Sequence, residues 1–138
     1  MKKILIICLI LFLLPLSYVL GGILKTIPAH VEVLPADGIL VYWDYEHQIP
    51  MNSVDFGQVQ RGNTAYVTIS IVNSSNTTKS LYLTTNDSFM EASFADLSMA
   101  PTEPVVLESG RSMSGWLILK IKPDALLGDK NFQIYINE

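Results

Sequence analysis

The chain changes physical character at Lys25. Ile4 to Leu24 is an apolar run without a single charge, preceded by Lys2 and Lys3. Beyond it, short alternating segments are broken by Gly, Asn, Asp and Pro. A charged start followed by an apolar run is an export or anchoring device, so residues 1–24 are a signal peptide or a transmembrane anchor. In the first reading, Pro15 ends the apolar helix, and Val19 and Gly21 are the small residues ahead of a cut before Gly22. In the second, the 21 residues of Ile4 to Leu24 match the roughly 20 helical residues that cross a bilayer core, and the membrane is a partner through residues 4–24. Two lysines ahead of the span and only Lys25 just behind it favour a cytoplasmic N-terminus. Both readings place the C-terminal part outside, at the cell membrane as a single-pass protein or secreted.

The exported part is acidic. Taking Lys2 and Lys3 from the nine basic residues leaves seven against thirteen acidic ones, a balance of −6. No basic patch reverses that, which argues against nucleic acid as a partner. The only cysteine, Cys8, lies inside the apolar run. A disulfide, a cysteine-based zinc site and a cysteine nucleophile are therefore excluded from the exported part. Its fold rests on a hydrophobic core, and no cofactor is expected.

Period-two alternation recurs after Lys25. Ala65, Val67, Ile69 and Ile71 oppose Tyr66, Thr68 and Ser70; Leu117, Leu119 and Ile121 oppose Trp116, Ile118, Lys120 and Lys122; Phe132, Ile134 and Ile136 oppose Gln133, Tyr135 and Asn137. Shorter strands are expected at His30 to Leu34, Ile39 to Asp44, Ser53 to Val59, Leu81 to Thr84, Phe89 to Phe94 and Val105 to Glu108. Asp37-Gly38, Arg61-Gly62-Asn63, Asn73 to Asn76, Ser109-Gly110 and Gly128-Asp129 supply turns. With no helical periodicity between strands, the pattern predicts an all-β antiparallel sandwich of two sheets. The expected division is residues 1–24 as leader, 25–37 as linker or first strand, and 38–138 as the sandwich domain.

Within that pattern, Val54-Asp55-Phe56-Gly57, Arg61-Gly62 and an alternating strand ending at Val72-Asn73 resemble the opening of immunoglobulin-like domains of the ASPM–SPD-2–hydin type. Leu107 with Gly110, Pro123 with Ala125, and Leu127-Gly128 are similar to elements of extracellular immunoglobulin-like modules. Val41-Tyr42-Trp43-Asp44 and Thr84-Thr85-Asn86 resemble segments of small exported, uncharacterised archaeal proteins. The resemblance spans roughly residues 38 to 138 and implies an immunoglobulin-like β-sandwich without implying an activity. Family members often carry a Cys after the Tyr-Trp-Asp segment. Here Tyr45-Glu46-His47 stands instead, so no metal or disulfide role transfers.

Chemistry-bearing residues are sparse. Asp44, Glu46 and His47 form the one acidic–histidine cluster, and with His30 they are the only candidates for a carboxylate–imidazole metal site. Alternation puts Asp44 and Glu46 on one face and His47 on the other, and a solvated strand end is the simpler reading. Carboxylate pairs for glycoside hydrolysis drawn from Asp44, Glu46, Asp55, Asp87 and Glu91 have no defining spacing. Asp87, Glu91 and Asp96 lack a calcium-loop pattern. No Gly-x-Ser-x-Gly elbow occurs, and Ser114 reads as a turn or strand residue. Trp43 and Trp116 are expected in core packing. Asn73-Ser74-Ser75, Asn76-Thr77-Thr78 and Asn86-Asp87-Ser88 match the acceptor triplet for N-glycosylation.

These features predict a non-enzymatic, extracellular immunoglobulin-like module with a structural, adhesion or partner-binding role. Its expected contacts are a protein partner or a second copy of itself. One alternative is a filament or pilus-like subunit joined by β-strand addition through Ala29 to Pro35. Another is a carbohydrate-associated domain using acidic pairs and exposed tryptophans.

Overall fold

The computed structural model describes residues 26–126 and 132–138. The leader with Cys8 and its cut site, and the Leu127-Gly128-Asp129 turn, lie outside the described residues. Nine strands follow in chain order: β1 (Thr26–Pro35), β2 (Ile39–Tyr42), β3 (Ser53–Gln60), β4 (Thr64–Asn73), β5 (Lys79–Thr85), β6 (Met90–Ala95), β7 (Val105–Leu107), β8 (Ser112–Ile121) and β9 (Phe132–Asn137). They form two sheets, one ordered β3-β1-β9-β5-β7 and the other β2-β4-β8-β6.

Alternation decides which side chains meet between the sheets. Val31 and Val33 of β1, Leu81 of β5 and Ile134 and Ile136 of β9 face Ile69 and Ile71 of β4, Phe94 of β6 and Leu117, Leu119 and Ile121 of β8 across the core, all of them buried. Phe94 is the one aromatic ring among the most deeply buried side chains. Both tryptophans depart from the core packing expected of them. Trp43 is 37% exposed beyond the end of β2, and Trp116 shares the outward parity of Ser114 and Ile118 on β8.

The segment 25–37, read as a linker or first strand, contributes β1 to the body of the sandwich. β1 pairs antiparallel with β3 and parallel with β9, so both of its edges are hydrogen-bonded within the chain. Val54 and Val59 of β3 are both buried although five residues apart. Strict alternation forbids that, and a bulge restores it: Pro28 faces Gln58 while His30 faces Asp55. Gly57 supplies the left-handed turn at φ 69°, and the Asp55 carboxylate accepts its amide at 2.8 Å.

The remaining edges are guarded in different ways. The chain folds back along β2, with Trp43 N–H donating to Ile49 O and Met51 N–H to Val41 O. On β6, Phe94 N–H donates to the Glu103 carboxylate at 2.9 Å, and Thr102 N–H donates to Phe94 O. β7 has only three residues.

Two polar side chains are fully buried, Ser70 and Asn73, and Asn73 joins the two sheets. Asn73, the last residue of β4, donates from Nδ2 to Thr77 O at 2.7 Å and to Leu107 O of β7 at 2.9 Å. Its Oδ1 accepts Ser75 N–H at 3.0 Å and the Ser75 hydroxyl at 2.6 Å. Its backbone bonds to Arg111 O and Gly110 N. Nearby, Gly38 accepts the Ser74 amide and hydroxyl. A Cβ on Gly38 would lie 2.8 Å from that of Ser75, so the β1–β2 turn needs glycine there. Asn73→Ala strands the buried Leu107 carbonyl and the Ser75 amide at this junction, whereas Thr77 O keeps the Ser75 hydroxyl. Each buried unsatisfied group costs about 1–3 kcal/mol, so chemical denaturation of the full chain should show a loss of about 2–4 kcal/mol; a loss below about 1 kcal/mol would contradict this role.

Candidate functional site

The two outer faces of the sandwich differ in chemistry. On the five-stranded sheet, Gln133 Nε2 donates to Glu32 at 2.8 Å, Tyr135 OH to Gln133 at 2.7 Å and Asn137 Nδ2 to Thr84 at 2.8 Å. Lys79 pairs with Glu138 at its end. This is a solvated polar surface. A shallow hollow of about 420 Å³ there is bordered by His30, Glu32, Ser53 and Gln133, and Gln133 already occupies the Glu32 carboxylate.

The outer face of the four-stranded sheet carries four successive cross-strand rows without a charge. Leu40, Val72 and Ser112 make the first row, and Tyr42, Ser70 and Ser114 the second. Thr68, Trp116 and Ala95 make the third, and Tyr66, Ile118 and Ser93 the fourth. Charge enters only in the fifth, where Lys120 stands beside Glu91. Tyr66 is 58% exposed and meets the Trp116 ring edge to face at 5.4 Å. Trp116 Nε1 is buried without an acceptor among the described residues.

The β2–β3 connection rises over the upper rows as a ridge. His47 adopts φ 58°, a left-handed conformation that costs an ordinary residue roughly 1–2 kcal/mol. Its ring rests 5.2 Å from that of Tyr42, and Nε2 lies 2.8 Å from the Ser70 hydroxyl. Ser70 in turn accepts from Ser114 at 3.3 Å. Asp44 braces the ridge from within by accepting the Gln48 and Ile49 amides at 3.1 and 2.8 Å. Tyr45 and Ile49 stand at its crest, each 58% exposed. A serine, a histidine and an aspartate thus come together, but not as a relay for acyl transfer. The Asp44 carboxylate holds backbone amides, and Ser70 is completely buried, out of reach of a substrate carbonyl. The trio latches the ridge to the sheet.

The other sequence candidates are dispersed. His30 lies on β1, opposite Asp55, in the five-stranded sheet, away from Asp44, Glu46 and His47. Glu46 accepts from Gln48. Asp87 accepts Phe89 N–H, Glu91 pairs with Lys120 and Lys122, and Asp96 organises a turn through Ser98 and Ala100. No group of three metal-ligating side chains occurs among the described residues. A groove of about 510 Å³ runs beside the edge strand β7, bordered by Val105, Leu107 and Met113 and by the polar Thr102, Glu108, Arg111 and Ser112, of which Glu108 and Arg111 pair with each other. Of the glycosylation triplets, Asn73 is wholly buried, whereas Asn76 and Asn86 are exposed. The His47–Ser70 latch had no signal in the sequence, because the residues are 23 apart and in unrelated segments. No known family matches the chain, and no curated protein matches it.

Burial raises the Glu103 carboxyl above its ordinary value, against the opposing effect of the Phe94 amide. The Ile49 amide, then Gln48 and nearby His47, hold Asp44 below its ordinary value of 3.8. For a carboxylate lowered by folding, the stabilisation is present above the unfolded pKa and disappears as pH falls through the folded one. The ridge should therefore stay closed at neutral pH and loosen below about pH 4. NMR hydrogen exchange at Gln48 and Ile49, corrected for the intrinsic pH effect, should accelerate there in the native chain. The substitution Asp44→Asn should remove the pH step, and a step that survives in that variant would contradict the assignment.

Proposed function

We propose that the chain is a non-enzymatic, immunoglobulin-like module, displayed at the cell surface or secreted, that binds a protein partner through the outer face of its four-stranded sheet. The immunoglobulin-like reading is supported by strand order. The sequence β2-β4-β8-β6 follows the A-B-E-D order of such domains, with β5 and β9 in the places of C and F. β1 occupies the place of strand G beside β9 but runs parallel to it, which is a departure from that pattern. The apolar leader supports the extracytoplasmic location.

The observation that carries the binding role is the run of four uncharged rows on an acidic protein. Protein interfaces lose charge at their centre and gain Tyr and Trp, with a polar rim. The sheet face has that distribution, with Tyr66 and Trp116 central, Lys120 and Glu91 at the lower rim, and the Tyr45–Ile49 crest above. The opposite face offers no such centre. Strand addition through Ala29 to Pro35 is less well supported, since β1 would first have to leave two ladders.

Photocrosslinking in the native host separates the two faces. Benzoylphenylalanine at Tyr66 should give a discrete protein adduct, and the same group at Tyr82, exposed on β5, should not. Equal labelling from both positions, or none from either, would overturn the proposal.

A further inference from the structure

The three acceptor triplets sit in three different physical states, and the difference singles out one of them. We propose that Asn76 carries an N-linked glycan and that Asn73 does not. This rests on the extracytoplasmic location proposed above. In the transfer, Asn76 Nδ2 attacks the anomeric carbon of a lipid-phosphate-linked saccharide. The N–C1 bond forms, the C1–O bond to phosphate breaks, the lipid phosphate departs with the electron pair, and one Nδ2 proton passes to a base of the transferase.

At Asn73 the product is incompatible with the fold. Nδ2 donates both protons, to Thr77 O and Leu107 O. A sugar on that nitrogen leaves one proton for two acceptors, of which Leu107 O is buried, and needs space where the side chain is 0% exposed. The hydroxyl of its triplet is engaged as well, since Ser75 donates to Asn73 Oδ1. Asn86 is exposed, but its Oδ1 accepts Gln133 N–H at 2.9 Å and so fixes the carboxamide against β9.

Asn76 has neither constraint. Its carboxamide and the Thr78 hydroxyl are exposed and make no side-chain hydrogen bond among the described residues, so both recognition groups of the triplet face solvent. The loop that presents them is held rigid from beneath by Asn73, Ser75 and Ser109. It also lies at the end of the sandwich where β1 finishes. Ile39, just after β1, pairs with Asn73, while Thr26 lies at the opposite end beside Gln60. A glycan there extends away from the point where the leader joins.

Mass spectrometry of the full chain isolated from its own host, with electron-transfer fragmentation to locate the modified residue, tests the assignment. The expected result is a saccharide mass on Asn76 and none on Asn73. Asn76→Gln and Thr78→Ala should each abolish it without changing the far-ultraviolet β spectrum. A bare Asn76, a glycan on Asn73, or a glycan only on Asn86 overturns the proposal. A membrane-impermeant amine label applied to intact cells reports location separately through Lys120, whose side chain is 56% exposed. Labelled Lys120 with bare Asn76 removes the glycan alone, and unlabelled Lys120 with bare Asn76 removes the location as well.

Discussion

The Asn73 carboxamide is the joint on which the upper end of the sandwich depends. Two sheets of mostly aliphatic side chains can slide over each other, because hydrophobic contact is non-directional. A buried amide with two donors and one acceptor all satisfied has one acceptable geometry. By bonding at once to Leu107 of one sheet, to the β4–β5 loop and, through its backbone, to the β7–β8 turn, it sets how the sheets meet. The neighbouring Gly38 turn packs against the same loop, so the path from β1 into the second sheet is fixed there too.

With the scaffold fixed, the outer surfaces are free to specialise. The five-stranded face is held by side-chain hydrogen bonds between neighbouring strands. The four-stranded face leaves aromatic and hydroxyl side chains in rows, bounded by a ridge whose His47 sits in a strained conformation. Strain of that kind persists only where surroundings over-determine it, and here Tyr42, Ser70 and Asp44 do so. The proposed binding surface is thus a rigid sheet edged by a braced ridge.

Much of this was legible in residue order. All nine strands coincide with segments expected from residue order, and in the long regular ones alternation also sets the register, since a one-residue slip would expose the whole of Ile69-Ile71 or Ile134-Ile136. The outward parity of Tyr66, Thr68, Ser70, Trp116 and Ile118 was also readable in two strong strands, but the register that aligns them in uncharged rows was not. What alternation conceals is anything made by a loop folding back. Ser70 has outward parity, yet it is completely buried under His47. Asn73 reads as a turn residue and a glycosylation acceptor, yet it is core. Trp116 looks like core by size and lies outside by parity, and parity decides because strand register is set by the many Ile and Leu residues around it. Val54 and Val59 break the period, and only the glycine at position 57 hints at the bulge that reconciles them.

The central claim, that Asn73 locks the sheets together, is tested most directly by native-state hydrogen exchange in the full chain. The amides of Asn73, Ser75 and Gly110 are predicted to exchange only through global unfolding, as slowly as that of Ile69 in the middle of β4. Exchange at these three sites at the rate of an open surface loop, while Ile69 stays protected, would show that the junction opens by itself and that the sheets are held by apolar packing alone.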